Sequence, residues 1–78
     1  MITLLRAETS GNYDNYFFTE RSPLSTKDIT ITIDFVDNEI TGDCVAYGGW
    51  FDLELEDCLR YLDQVDNSEI IRDFKFML

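Results

Sequence analysis

A chain of 78 residues with 45% apolar and 14% aromatic side chains is too rich in large hydrophobic groups to remain unfolded, even at a net charge of −10. That length leaves room for one domain, 1–78, and one core, and a chain so short buries only about 60% of its unfolded surface. A pI of 4.1 sets it against bare nucleic acid and anionic lipid alike, so direct binding to DNA, RNA or a membrane is disfavoured.

The chain opens with Ile2 to Glu8, a short apolar segment, and the turn-forming Ser10-Gly11-Asn12 follows. The aromatic-rich YDNYFFTERS comes next, so the first two segments predict a hairpin. Pro23, the single proline, removes a backbone donor and ends the second strand in a connecting loop. In DITITIDFVD, Ile29, Ile31, Ile33 and Phe35 alternate with Thr30, Thr32, Asp34 and Val36, the period of a strand with one buried and one wet face. Asp37-Asn38-Glu39 supplies a turn, and ITGDCVAY returns antiparallel with Gly42 as a candidate bulge. Gly48-Gly49 is expected to break the sheet.

FDLELEDCLRYLD, 51–63, predicts a helix with Asp52 as its N-cap and further acids near its positive end. Leu55, Cys58, Leu59, Leu62 and Val65 give it one apolar face, with Asp52, Glu56 and Asp63 aligned beside that face and Arg60 near them. After the turn-forming Asp66-Asn67-Ser68, Phe74, Phe76 and Leu78 alternate with Asp73, Lys75 and Met77. That alternation favours a last strand over a helix capped by Ser68. The expected fold is α+β, a small antiparallel sheet of four or five strands packed against one amphipathic helix in the order ββββαβ.

No apolar run approaches the ~18 residues needed to cross a bilayer, and the start Met-Ile-Thr-Leu-Leu-Arg lacks the pattern of a secretory leader. A cytoplasmic protein is expected, with Cys44 and Cys58 reduced and buried rather than bridged.

The residue types needed for common chemistry are sparse. With no histidine, Ser-His, Cys-His and His-metal constellations are excluded. Both cysteines sit among acids, which raise a thiol's pKa. The groups DFVDNE and DQVDNSE lack the glycine and spacing of a calcium loop and read as ordinary turn chemistry. Gly48-Gly49 has neither the lysine nor the spacing of a phosphate loop. No enzyme, cofactor or metal site is expected.

The charge, by contrast, is strongly polarised. Residues 1–27 balance Arg6, Arg21 and Lys27 against Glu8, Asp14 and Glu20, so 28–78 carry the whole surplus of −10. The expected partner-binding surface therefore comprises Asp34, Asp37, Glu39 and Asp43 on the third and fourth strands with Asp52, Glu54, Glu56, Asp57 and Asp63 on the helix, gathered on one side. Solubility alone is the competing account of such acids. Self-repulsion in a fold already short of core argues that the charge is used. Tyr47 and Trp50 are candidate aromatic anchors at its edge. The simpler expectation, and the preferred one, is that Trp50 and Phe51 pack beneath the helix as core.

In size, acidity, lack of catalytic groups and its pattern of short strands plus a helix, the chain is similar to the small inhibitors that phages use against host defence, the anti-CRISPR and anti-restriction proteins. The resemblance is of class and carries no motif. It implies a protein of the host cytoplasm that presents carboxylates where nucleic-acid phosphates would sit. Its partner would be the basic nucleic-acid channel of a defence nuclease or of an RNA-guided complex. An immunity protein or antitoxin capping a basic toxin, and an adaptor that recruits a partner strand to its sheet edge, are the competing readings.

Overall fold

The computed structural model describes residues 1–72. Five strands come first, β1 (Ile2–Ser10), β2 (Tyr13–Arg21), β3 (Thr26–Asp34), β4 (Glu39–Ala46) and β5 (Gly49–Asp52). The helix α1 (Leu55–Leu62) and a 3-10 turn at Asn67–Glu69 follow. The strands lie side by side in chain order, every neighbouring pair antiparallel, so the sheet is a simple meander. No helix among the described residues is long and apolar enough to cross a membrane.

Short loops produce that topology. Ser10 pairs with Tyr13 across Gly11-Asn12, and Gly11 takes φ 61°, a conformation that glycine adopts without steric cost. Ser22 and Ser25 exchange backbone hydrogen bonds around Pro23, closing the β2–β3 loop. Asp34 accepts from the backbone N–H groups of Val36 and Asp37 at 2.9 and 3.2 Å, which fixes the turn into β4.

Three local expectations change. Gly48-Gly49 does not end the sheet: Tyr47 and Gly48 both have positive φ, 54° and 72°, and form a two-residue hairpin turn between Ala46 and Gly49. The strand it launches, β5, precedes the helix, so the described order is βββββα and the fifth strand is not C-terminal to α1. The last strand expected over 69–78 falls mainly on 73–78, which lie outside the described residues. Gly42 is not a bulge either, because the β3–β4 register runs unbroken past it. The irregularity sits in β1, between Leu4 and Arg6. Finally, α1 starts at Leu55, with Glu54 in the N-cap position and no side-chain capping bond. Asp52 is the last residue of β5, and the Leu53 N–H still donates to the Gly42 carbonyl at 2.9 Å, holding the chain to the sheet for one more residue.

The sheet has an inner and an outer face, set by the alternation of side chains. Tyr16, Phe18, Ile29, Ile31, Ile33, Ile40, Cys44 and Ala46 are buried on the inner face. The helix α1 covers it through Cys58, Tyr61 and Leu62. Leu59 and Val65 are only partly buried and Leu55 is 44% exposed, so the helix is rotated toward Tyr61 relative to the face its sequence predicts. Each large side chain so covered contributes about 1.5–3 kcal/mol. Both cysteines are buried and unbridged, and burial pushes the Cys58 thiol up to about 11, leaving almost no thiolate at neutral pH.

Tyr61 also joins the helix to the sheet through a polar contact. Its hydroxyl donates to Glu20 Oε1 at 2.7 Å, while Arg60 lies 3.7 Å from Glu20 Oε2. Burial, then the Glu20 carboxylate, pushes the Tyr61 hydroxyl up to about 12, and the hydrogen bond from Tyr61, reinforced by Arg60, holds Glu20 below its ordinary value. Glu20, with its depressed pKa, contributes stability that is present above its ordinary value of 4.5 and lost as pH falls through the folded value. Tyr61, with its raised pKa, contributes stability that is full below 10.0 and lost as pH climbs from there to about 12. Tyr61→Phe is expected to cost ~1–2 kcal/mol near neutral pH and to flatten both limbs, as measured by urea unfolding across pH.

A candidate partner-binding surface

No second layer covers the outer face among the described residues. Along β3 its positions are Thr26, Asp28, Thr30, Thr32 and Asp34. Across β4 and β5 they are Glu39, Thr41, Asp43, Val45, Trp50 and Asp52. This three-strand half of the face holds acids and no lysine or arginine. The β1–β2 half differs, since Arg6 stacks on the Phe17 ring at 4.1 Å and lies 3.6 Å from Glu8.

Two pairs of acids stand directly opposite one another, Asp34 with Glu39 and Asp43 with Asp52. Like charges in that position are destabilising, because the facing Cβ atoms are only about 4.5–5.5 Å apart. Asp34 is partly explained by the turn it caps. Among the described residues no such structural duty falls to Asp52, which is exposed at the end of the edge strand.

Beside the second pair stands Trp50, 60% exposed yet held in place by its indole Nε1–H, which donates to Asp43 Oδ2 at 2.9 Å. Thr30, Thr32, Thr41, Asp43, Trp50 and Asp52 line a shallow depression of about 220 Å³ whose floor opens over the bare backbone of Gly42. Trp50 and Phe51 are therefore not core beneath the helix: β5 runs along the sheet edge, beyond the area that α1 covers, and Phe51 is 49% exposed. Tyr47, 74% exposed, sits in the β4–β5 turn, where its hydroxyl is 3.1 Å from Ser25 Oγ at the same end of the sheet.

The acids expected on one side form two groups. Asp34, Glu39, Asp43 and Asp52 share the outer face, with Asp37 in the exposed turn at its end. Glu54, Glu56, Asp57 and Asp63 belong to the helix segment, which packs on the inner face, so they point away from the opposite side of the sheet. Asp57 is further engaged with Arg60 at 3.9 Å. Sequence reasoning missed Asp28, although it occupies the same alternating row of β3 as Thr30, Thr32 and Asp34.

Asp14 is a second carboxylate that composition did not single out. It lies on the inner face, fully buried, where Oδ1 accepts from Thr9 Oγ1 at 2.6 Å and meets Arg72 Nε at 3.0 Å. Arg72 also donates to the Gly11 carbonyl at 2.7 Å and stacks on Phe35 at 4.8 Å, tying the end of the described chain to the β1–β2 turn. This is a structural clamp on the side of the sheet away from the acidic face. Comparison of the chain with protein-family models, with curated proteins and with solved structures finds no match.

Proposed function

We propose that this protein is a non-enzymatic acidic inhibitor of the cytoplasm. In this reading the outer face of β3, β4 and β5 binds a basic nucleic-acid-binding surface, as on a defence nuclease or an RNA-guided complex, and competes there with nucleic acid. The observation that carries the reading is the Asp43–Asp52 pair, two carboxylates facing each other with no cation paired to either among the described residues, beside an exposed, hydrogen-bonded tryptophan. Asp43 is engaged by the Trp50 indole, but the repulsion between the two carboxylates still costs the fold stability, and a cation arriving from outside relieves it. Along β4, Glu39 and Asp43 are four residues apart, about 13 Å in an extended strand, so the acids run in rows along the strands rather than gathering at a point. That arrangement suits an elongated basic groove better than a single cationic residue.

Capture from a lysate on the immobilised protein tests this reading. The retained proteins should be nucleic-acid-binding, should be released as salt screens the contact, and should be lost when the lysate is first saturated with nucleic acid. Retention that ignores both salt and added nucleic acid would instead favour an adaptor that recruits strands to its sheet edge.

A further inference from the structure

We infer that the depression between Thr30, Thr41, Asp43 and Trp50 is a socket for an arginine side chain of the basic partner, and that it discriminates arginine from lysine. The inference rests on the reading of the outer face as a surface for a basic partner, and it names the side chain recognised there.

The fold itself shows how it handles guanidinium groups. Arg6 stacks on Phe17 at 4.1 Å, Arg60 on Tyr61 at 4.6 Å and Arg72 on Phe35 at 4.8 Å. The indole of Trp50 is the strongest cation-binding ring of the four, and among the described residues no cation stacks on it. It is nonetheless held in one orientation by its bond to Asp43 Oδ2, which leaves Asp43 Oδ1 and the whole Asp52 carboxylate to accept from an incoming group. Thr30, Thr32 and Thr41 line the depression beside these carboxylates, and Thr32 is anchored by donating to Asn15 Oδ1 at 2.8 Å.

An aromatic wall and two carboxylates in a threonine-lined depression match a planar, weakly hydrated group with five donors better than they match a compact, strongly hydrated ammonium. A volume of about 220 Å³ has room for such a side chain. A second copy of this chain is a poor occupant, because each copy brings a net charge of −10 to the contact.

Trp50 is the single tryptophan of the chain and therefore its own reporter. Octa-arginine and octa-lysine, equal in charge, are titrated into the protein at low salt while Trp50 emission and peptide anisotropy are followed. Octa-arginine should shift the emission and bind roughly tenfold more tightly than octa-lysine. Trp50→Ala and Asp43→Asn, read by peptide anisotropy alone, should bring the ratio toward one while leaving salt-sensitive binding of both peptides. Both sites lie on the uncovered face, and a thermal melt verifies that each variant is folded. Equal affinity for the two peptides with unmoved emission would overturn the socket and leave the acidic face standing. Binding of neither peptide would overturn both.

Discussion

Arg72→Met is expected to destabilise the protein by ~3 kcal/mol, because it strips the cationic partner from a carboxylate that water cannot reach. Asp14 is fully buried, and its Oδ2 has no hydrogen-bond partner among the described residues, so its charge depends on the Arg72 guanidinium and the Thr9 hydroxyl, both at Oδ1. Arg72 is itself about one-third exposed, which places the loss at the lower end for a broken buried pair. A domain of 78 residues has on the order of 4–12 kcal/mol in total, so the change removes a large share. Combining Arg72→Met with Asp14→Leu should recover most of the loss, since two apolar groups of similar shape need no charge partner. Urea unfolding at an unchanged slope measures both variants. A loss below about 0.5 kcal/mol for Arg72→Met would show that the Asp14 charge is solvated or neutralised in another way.

Gly42→Val should cost ~2–3 kcal/mol, although a β-branched residue ordinarily favours a strand. A Cβ at this position would come within 2.7 Å of both Cys58 Sγ and Ile31 Cδ1, and within 3.3 Å of Leu53 Cδ1. Two effects compete. Replacing glycine in a strand gains up to about 1 kcal/mol through reduced backbone entropy, while forcing side chains into a filled core typically costs about 1–3 kcal/mol. The second wins here because Cys58 and Ile31 are fully buried and α1 has to move outward to make room. Gly42→Ala in a Cys58→Ala background should be milder than in the parent, because the nearest sulfur is gone. Thermal melts of the single and double variants give the coupling between the two positions. Additive losses would mean that helix and strand do not meet at Gly42.

Period-two alternation carried most of the fold. Ile29, Ile31 and Ile33 set the inner face of β3, and the loop at Pro23 and the turn at Asp37-Asn38 set its neighbours. β5 was hidden because it is only four residues long, too short to display alternation, and because the Gly48-Gly49 pair at its start resembles a break. Its signal was the two-residue spacing between Ala46 and Gly49, the mark of a tight hairpin. Asp52 resembles a helix cap by residue type, but pairing of β5 with β4 holds it in the sheet, a tertiary contact outweighing a local preference. The same blindness to tertiary contacts hid the buried role of Asp14, which exists only because distant Arg72 reaches it.

The candidate surface was legible in kind and not in extent. Composition showed the amount of negative charge and its concentration after residue 27, and alternation along β3 placed Asp34 on the face opposite Ile29, Ile31 and Ile33. It did not reveal that α1 packs on the other face, which separates Glu56 and Asp63 from Asp43 and Asp52. Nor did it show that Trp50 escapes the core, because that depends on how far a short helix reaches across a five-stranded sheet.

That separation allows the central claim to be tested with net charge held equal. Asp43→Lys with Asp52→Lys reverses the outer face, and Glu56→Lys with Asp63→Lys reverses the helix side by the same amount. Association of each double variant with fluorescently labelled octa-arginine is followed by stopped flow over a range of salt. If the outer face is the binding surface, its reversal slows association about tenfold or more at low salt and flattens the salt dependence, while the helix reversal changes the rate far less. Equal slowing by both pairs would mean that only overall charge matters, and would contradict a binding surface on β3, β4 and β5.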